Sequence, residues 1–252
     1  MRTASWCWGA RVGEEQLPGG FVNVVVRVGD TVRRQPGERA AFVHELLRQL
    51  GRQGWSGAPR FLGLDEDGRE MLSYVDGYVA WDDPRSPATS SLGSLRSVGR
   101  LVRELHDLTA GTSLAADSEV VCHNDLSPKN TVYAANGARA IAFIDWDLAA
   151  PGSRIHDLAL ACWQYAGTDR TDPDLVIDRW RALCDGYGPT DRTALVDTVL
   201  WWQDRSWRGI ESAATSGDVA MSRLRDLGVP AGIRAAHDWV AANAALLEEG
   251  LR

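Results

Sequence analysis

The stretch His123-Asn124-Asp125-Leu126-Ser127-Pro128-Lys129-Asn130 decides how this sequence is read. It sets an acid and an amide in one short polar segment. Val120-Val121 precedes it and Thr131-Val132-Tyr133 follows it, so a strand-loop-strand platform would hold the polar groups rigidly. Next along the chain, Ile141-Ala142-Phe143-Ile144-Asp145-Trp146-Asp147 is an apolar strand that ends abruptly in acids. Strand alternation puts Asp145 and Asp147 on one side, where their hard carboxylate oxygens could share Mg²⁺.

The segment from His123 to Asn130 has the His-x-Asp-x-x-x-x-Asn spacing of a kinase catalytic loop. That spacing serves two jobs: the aspartate meets an acceptor hydroxyl, while the asparagine turns back to hold a metal ion on nucleotide phosphates. HNDLSPKN followed by FIDWDLA resembles the catalytic loop and metal-binding aspartate of the aminoglycoside phosphotransferase and choline kinase superfamily. LPGGFVNVVVRVGDTVRR is similar to its nucleotide-covering hairpin, and RFLGLDEDGREMLSYVDG to its last N-lobe strands and hinge.

The resemblance implies an α+β, protein-kinase-like fold with two lobes, a small β-rich N-lobe and a larger, mainly helical C-lobe. It implies an enzyme that moves the γ-phosphoryl group of ATP, with Mg²⁺, onto a hydroxyl of a small molecule. Carried over residue by residue, Asp125 would be the catalytic base or hydroxyl-orienting group, and His123 a structural brace of the loop. Asn130 and Asp145 would be the Mg²⁺ ligands. Asp147 reads equally as a further metal group or as a cap of the following turn. The hinge, with Leu72, Tyr74 and Val75, would touch adenine through its backbone. Asp157 in Arg154-Ile155-His156-Asp157-Leu158-Ala159 matches a family aspartate and reads as a helix cap near the site.

The pattern departs from the family at one point. Kinases hold the α- and β-phosphates with a lysine on the third strand, paired with a helix glutamate. Of the 27 basic residues here all but Lys129 are arginine, so no lysine precedes the loop. Arg33 or Arg34 occupies the equivalent strand, and Arg33 is the favoured phosphate contact. Its partner is open between Glu38, ahead of the first helix, and Glu45, within it. The missing lysine keeps a rival reading alive, a catalytically weak nucleotide-binding or regulatory protein on the same fold.

Outward from the loop, residues 21–28 form a β-branched run, Gly29-Asp30 a turn, and residues 31–34 a second strand. Gly19-Gly20 ahead of them fit any strand turn. Phe42, Val43, Leu46, Leu47 and Leu50 recur at helical spacing, with Gly51 placed to end that helix. Strands over 60–64 and 69–75 flank an acidic turn. Residues 1–75 therefore read as the nucleotide-covering N-lobe, in the order β-β-α-β-β. Residues 76–94, rich in Gly, Pro, Ser and Asp, read as hinge and crossing loop, and 95–252 as the C-lobe.

The C-lobe opens with a helix from about Leu92, and from Asp157 onward the chain reads as helical. Asp172-Pro173 forms a cap and first-turn pair, Gly186 and Gly228 stops, and Pro230 the opening of the last helix. In a long helix over about 191–213, Asp197, Asp204 and Glu211 recur every seven residues on one face. Asp204 and Glu211 there are candidates for binding a cationic acceptor, the alternative being a solvated face met by Arg205 and Arg208. Trp201, Trp202 and Trp207 would sit in the core or beside such an acceptor.

A net charge of −7 and a pI near 5.3 argue against a nucleic-acid surface. They suit a small or cationic acceptor. No apolar run is long enough to span a bilayer, and residues 1–10 lack the pattern of a secretory signal, so a cytoplasmic protein is expected. Cys7, Cys122, Cys162 and Cys184 are scattered without metal-site or disulfide spacing, which suggests reduced thiols. Relatives with similar motifs phosphorylate aminoglycosides, choline, homoserine, sugars and macrolides, because specificity sits in variable C-lobe helices.

Overall fold

The structure, a computed structural model, describes residues 13–18, 24–81, 86–165 and 172–252. Cys7, Gly19-Gly20 and the first residues of the run from Phe21 lie outside them.

Gly29, at φ +59°, makes the turn that returns β2 (Val26–Val28) as β3 (Thr31–Arg34), with Val28 opposite Thr31. A two-residue strand, β1 (Glu15–Gln16), adds an edge that periodicity does not reveal. After α1 (Ala40–Arg52) come β4 (Phe61–Leu64) and β5 (Glu70–Ser73), and the antiparallel sheet runs β1-β2-β3-β5-β4. Val43, Leu46, Leu47 and Leu50 bury the inner face of α1. Gly51 does not end this helix, as expected of it; Arg52 is the last helical residue and Gly54, at φ +73°, makes the turn.

β6 (Tyr78–Val79) carries the chain into a second sheet of order β6-β8-β9, where β8 is Thr131–Tyr133 and β9 is Ala140–Phe143. Between them lies α2 (Leu92–Thr109), capped by Ser91, whose hydroxyl accepts the Ser94 N–H. β7 (Val120–Cys122) pairs with β10 (Ala150–Gly152). The loop from His123 to Asn130 thus runs from β7 to β8, and the acidic segment from Asp145 to Asp147 runs between their partners β9 and β10. Pairing places the two motifs side by side.

Helices complete the chain: α3 (Arg154–Tyr165), α4 (Pro173–Tyr187), α5 (Leu195–Thr215), α6 (Val219–Asp226), α7 (Val229–Ala242) and α8 (Ala244–Leu251). Asp172 caps α4 through the Asp174 and Leu175 N–H groups. Gly186 lies inside α4, not at its end, and Gly188, at φ +89°, follows the helix. A Cβ on Gly186 would stand 2.1 Å from the Arg96 carbonyl oxygen, and one on Gly99 2.1 Å from that of Leu183. The two glycines let α2 and α4 approach backbone to backbone. Pro230 opens α7; the last helix is α8.

A single apolar cluster joins α1, α2, β7, the segment around Trp146 and helices α3, α4, α5 and α8. The result is an α+β architecture with a β-rich N-terminal region and a helical C-terminal region. Among the described residues no helix is long and apolar enough to cross a membrane, and Cys122, Cys162 and Cys184 are free and buried.

Candidate active site

The loop between β7 and β8 is fixed from beneath by Asp157. This fully buried residue of the first turn of α3 accepts the backbone N–H of His123 at 2.7 Å and of Asn124 at 2.9 Å. His106 of α2 stands 3.2 Å from the same carboxylate and 2.9 Å from the Tyr187 hydroxyl. Asp157 therefore braces the loop and does not cap its own helix as expected. Burial works to raise its pKa, but the hydrogen bond and charge of His106, together with the Asn124 N–H, hold it below the usual carboxylate range.

His123 is buried against Trp146, ring centroids 4.5 Å apart, and its Nδ1 lies 3.3 Å from the Asp125 N–H. Burial pushes its pKa down, which favours the neutral ring. The two motifs are stitched together twice. Ile144 N–H donates to the Asn130 carbonyl at 2.9 Å, and the Asn124 side-chain amide donates to the Leu148 carbonyl at 3.1 Å. Asn124 and Asp145 adopt left-handed backbone, φ +63° and +64°, a conformation that short polar residues tolerate and that clusters at functional sites.

Asp125 and Asn130 are bonded directly. The Asn130 amide nitrogen lies 2.7 Å from Asp125 Oδ2 and 2.8 Å from the Asp125 carbonyl, leaving the asparagine's side-chain oxygen available as a ligand. Burial pushes the Asp125 carboxyl up to about 6, the Lys129 charge opposing and the Asp145 charge reinforcing the shift. An acid tuned toward neutrality suits proton transfer.

From β3, Arg34 reaches the acids of the neighbouring segment. Its Nη1 lies 3.2 Å from Asp145 Oδ1 and 3.1 Å from Asp147 Oδ2, and its Nη2 lies 2.5 Å from Asp147 Oδ1. Its Nε bonds the Glu70 carboxylate, which faces it in register on β5. Gly37 gives Asp147 room, since a Cβ there would sit 3.3 Å from the carboxylate carbon. Burial pushes the Asp147 pKa up, and Arg34 opposes the shift. A guanidinium seated between two carboxylates marks the spot as fit for a cation, and Asp145, Asp147 and Asn130 offer the hard oxygens that Mg²⁺ takes.

Arg33 does not join the cluster. It alternates to the other face of β3, where its Nε lies 3.9 Å from Asp65. Neither Glu38 nor Glu45 partners Arg34. Glu45 pairs with Arg48 and Arg52 at the surface, and the acid in that role is Glu70, which also takes a 2.8 Å contact from His44 of α1. In the sequence Glu70 is one acid at the start of a short strand, with nothing local to mark it as the partner of Arg34.

At the end of β5, Leu72 is buried, Tyr74 lies under the Arg27 guanidinium at 3.7 Å, and Val75 is half-buried. Asp204 and Glu211 stand apart. They pair with Arg208 at 2.8 Å and Arg234 at 3.0 Å, and none of their bonds among the described residues reaches the cluster. Trp207 lies beside both arginines, while Trp201 and Trp202 pack on His156.

Residues 110–193 match the family model of the phosphotransferase enzyme family. The trifolitoxin immunity protein of Rhizobium leguminosarum bv. trifolii is 30% identical over 230 residues, 79% of this chain and 85% of that protein. This chain belongs to the phosphotransferase enzyme family. Two solved structures place its fold beside other phosphotransferases. A choline/ethanolamine kinase family protein from Mesorhizobium loti superposes with a TM-score of 0.60 at 19% identity, over 94% of this chain and 92% of that one. The aminoglycoside phosphotransferase APH(3'')-Id from Streptomyces rimosus gives 0.56 at 19% identity, over 75% and 90%. Membership in the phosphotransferase family supports phosphoryl transfer to a small molecule.

Proposed function

We propose that this phosphotransferase moves the γ-phosphoryl group of ATP, with Mg²⁺, onto a hydroxyl of a small, cationic acceptor. The observation that carries the reading is two hydrogen-bonded groups, Asn130 with Asp125 and Arg34 with Asp145 and Asp147, drawn from three separate segments of the chain and tied together by the bond from the Ile144 N–H to the Asn130 carbonyl. Asp125 Oδ1 receives no bond among the described residues and would orient the acceptor hydroxyl. As the acceptor oxygen bonds to the γ-phosphorus and the bond to the leaving ADP oxygen breaks, the hydroxyl proton passes to Asp125. Asp145, Asp147 and Asn130 would hold Mg²⁺, which supplies charge neutralisation at the phosphates. Arg34 would transfer its fork from the carboxylates to phosphate oxygens, for which its planar geometry suits it. Leu72, Tyr74 and Val75 would border the adenine. The Streptomyces rimosus enzyme has been solved with ADP and streptomycin, which supports a nucleotide and an amino-sugar acceptor here.

The test is ATP turnover across a panel of hydroxyl and amino-sugar acceptors, with mass detection of a phosphorylated product. A product that forms in the parent and disappears in Asp125→Asn supports the assignment; undiminished product in that variant overturns it. A second reading, a nucleotide-binding protein without turnover, draws on Arg34 in place of lysine and on the immunity name of the Rhizobium relative. ADP binding with no product across the panel would favour it.

A further inference from the structure

Arg34 is not aimed by its strand alone. Its partner Glu70 is a carboxylate only 1% exposed, and each of its oxygens has one donor group: Arg34 Nε on Oε1 and His44 Nε2, at 2.8 Å, on Oε2. A buried carboxylate that lost one of the two would keep an oxygen unsatisfied, so the pair constrains the plane of the carboxylate from both sides. The histidine ring is itself fixed. It stacks on Phe61 at 3.8 Å and 19°, and the Arg48 guanidinium lies 4.6 Å from the same phenyl ring. The chain of contacts runs from α1 through β5 to β3 and ends at the acids of the cluster.

We propose that His44 is a positioning residue for the nucleotide phosphates, acting through Glu70 to aim the Arg34 guanidinium. The arrangement inverts the strand lysine and helix glutamate of other kinases. Here the helix supplies a neutral or cationic ring, a neighbouring strand supplies the acid, and arginine replaces lysine. Arginine makes the arrangement necessary. A lysine ammonium is a point charge that bonds in any rotation, whereas a guanidinium delivers its donors only in the plane of its fork. Fixing that plane requires a fixed carboxylate, and α1 provides the second hold. The position of α1 is thereby coupled to phosphate binding.

The inference rests on the reading of Arg34 as the phosphate contact, and the experiment separates the two. ADP and adenosine affinities are measured by calorimetry for the parent, His44→Phe, His44→Gln, Arg34→Ala and the double variant His44→Phe with Arg34→Ala. Phenylalanine keeps the stack on Phe61 and removes the bond to Glu70, so ADP should weaken about tenfold while adenosine is unchanged. Glutamine, whose amide nitrogen can replace Nε2, should restore ADP binding to within about threefold of the parent. The double variant should bind ADP no more weakly than Arg34→Ala alone, because His44 acts through that residue. If His44→Phe does not fold, Glu70→Gln takes its place with the same expected selectivity for ADP over adenosine. An unchanged ADP affinity in His44→Phe, an equal loss for adenosine, or additivity with Arg34→Ala overturns the role of His44 while leaving Arg34 in place. If Arg34→Ala binds ADP like the parent, the phosphate reading fails and this inference with it.

Discussion

The carboxylate of Asp157 lies 2.7 Å from the backbone nitrogen of His123, across 34 residues of sequence. With the Asn124 N–H and His106 it gives one buried acid three donors. Replacement by alanine would strand the buried N–H of His123 and the partly buried N–H of Asn124, at a cost of about 3–5 kcal/mol. Denaturant unfolding of Asp157→Ala should show a loss of that order, and product formation should fall with it. The acid also titrates. Its folded pKa lies below the unfolded value near 3.8, so its stabilisation is present above that value and is lost as the pH falls through the folded one. Asp157→Asn, which has nothing to protonate, should show a weaker dependence of stability on acid pH than the parent.

Asp125 runs in the opposite direction. Its folded pKa is raised from 3.8 to about 6, so the native state keeps a proton that the unfolded chain has already released. Stability from this group is therefore highest below about pH 4 and declines as the pH rises through about 6. In protein free of nucleotide and metal, Asp125→Asn should be more stable than the parent above about pH 7, by on the order of 2 kcal/mol, and lose that advantage below about pH 4. Urea midpoints at the two pH extremes decide it. The same variant should make no phosphorylated product, so a more stable but inactive protein is the expected pair of results.

How much of this was legible follows from distance along the chain. Asp125, Asn130 and Asp145 sit in two local motifs whose spacing is set by chemistry, and the strands that frame them are apolar runs. Arg33 and Arg34 are neighbours of one type on one strand, so choosing between them needs the face of β3 that meets the acids, which only the packed sheet supplies. Glu70 lies 36 residues from Arg34 and 26 from His44, and nothing local marks the three as partners. Gly186 reads as a helix stop because a glycine that ends a helix and one that lets two helices touch look alike in sequence. Asp157 was visible as a residue of interest, but its role depends on a loop folded over the start of α3.

The glycines offer a stability test with an internal control. Gly186→Ala would put a methyl group 2.1 Å from the Arg96 carbonyl oxygen, a backbone atom that can move only if α2 and α4 separate. A loss of about 3 kcal/mol is expected, lowering Tm by roughly 6–12 °C. Gly51→Ala, inside α1 with nothing within 4 Å of the new methyl, should instead gain about 0.5–1 kcal/mol from helix propensity. Thermal melts of the two variants should move in opposite directions.

The last expectation concerns the cation between Asp145 and Asp147. Arg34 supplies it through contacts of 3.2 Å to Asp145 and 2.5 Å to Asp147, so an added divalent ion must displace a guanidinium already in place. Removing that competitor should help the ion, because two adjacent carboxylates without a counter-charge repel each other and attract Mg²⁺. Titration of Mg²⁺ without nucleotide should therefore show tighter binding to Arg34→Ala than to the parent, by about tenfold or more for the loss of a charged, bidentate partner. Adding Asp145→Ala to that variant should abolish the gain, since one of the two carboxylates is gone. With ADP present the order changes. Arg34→Ala should still bind Mg²⁺ but hold ADP weakly, whereas Asp145→Ala should bind ADP with the same affinity in Mg²⁺ and in chelator. Arg33→Ala, on the far face of β3 beside Asp65, should match the parent in every titration. If Arg34→Ala gains no Mg²⁺ affinity, its guanidinium does not occupy the metal position, and Asp145 and Asp147 are held by it for structure alone.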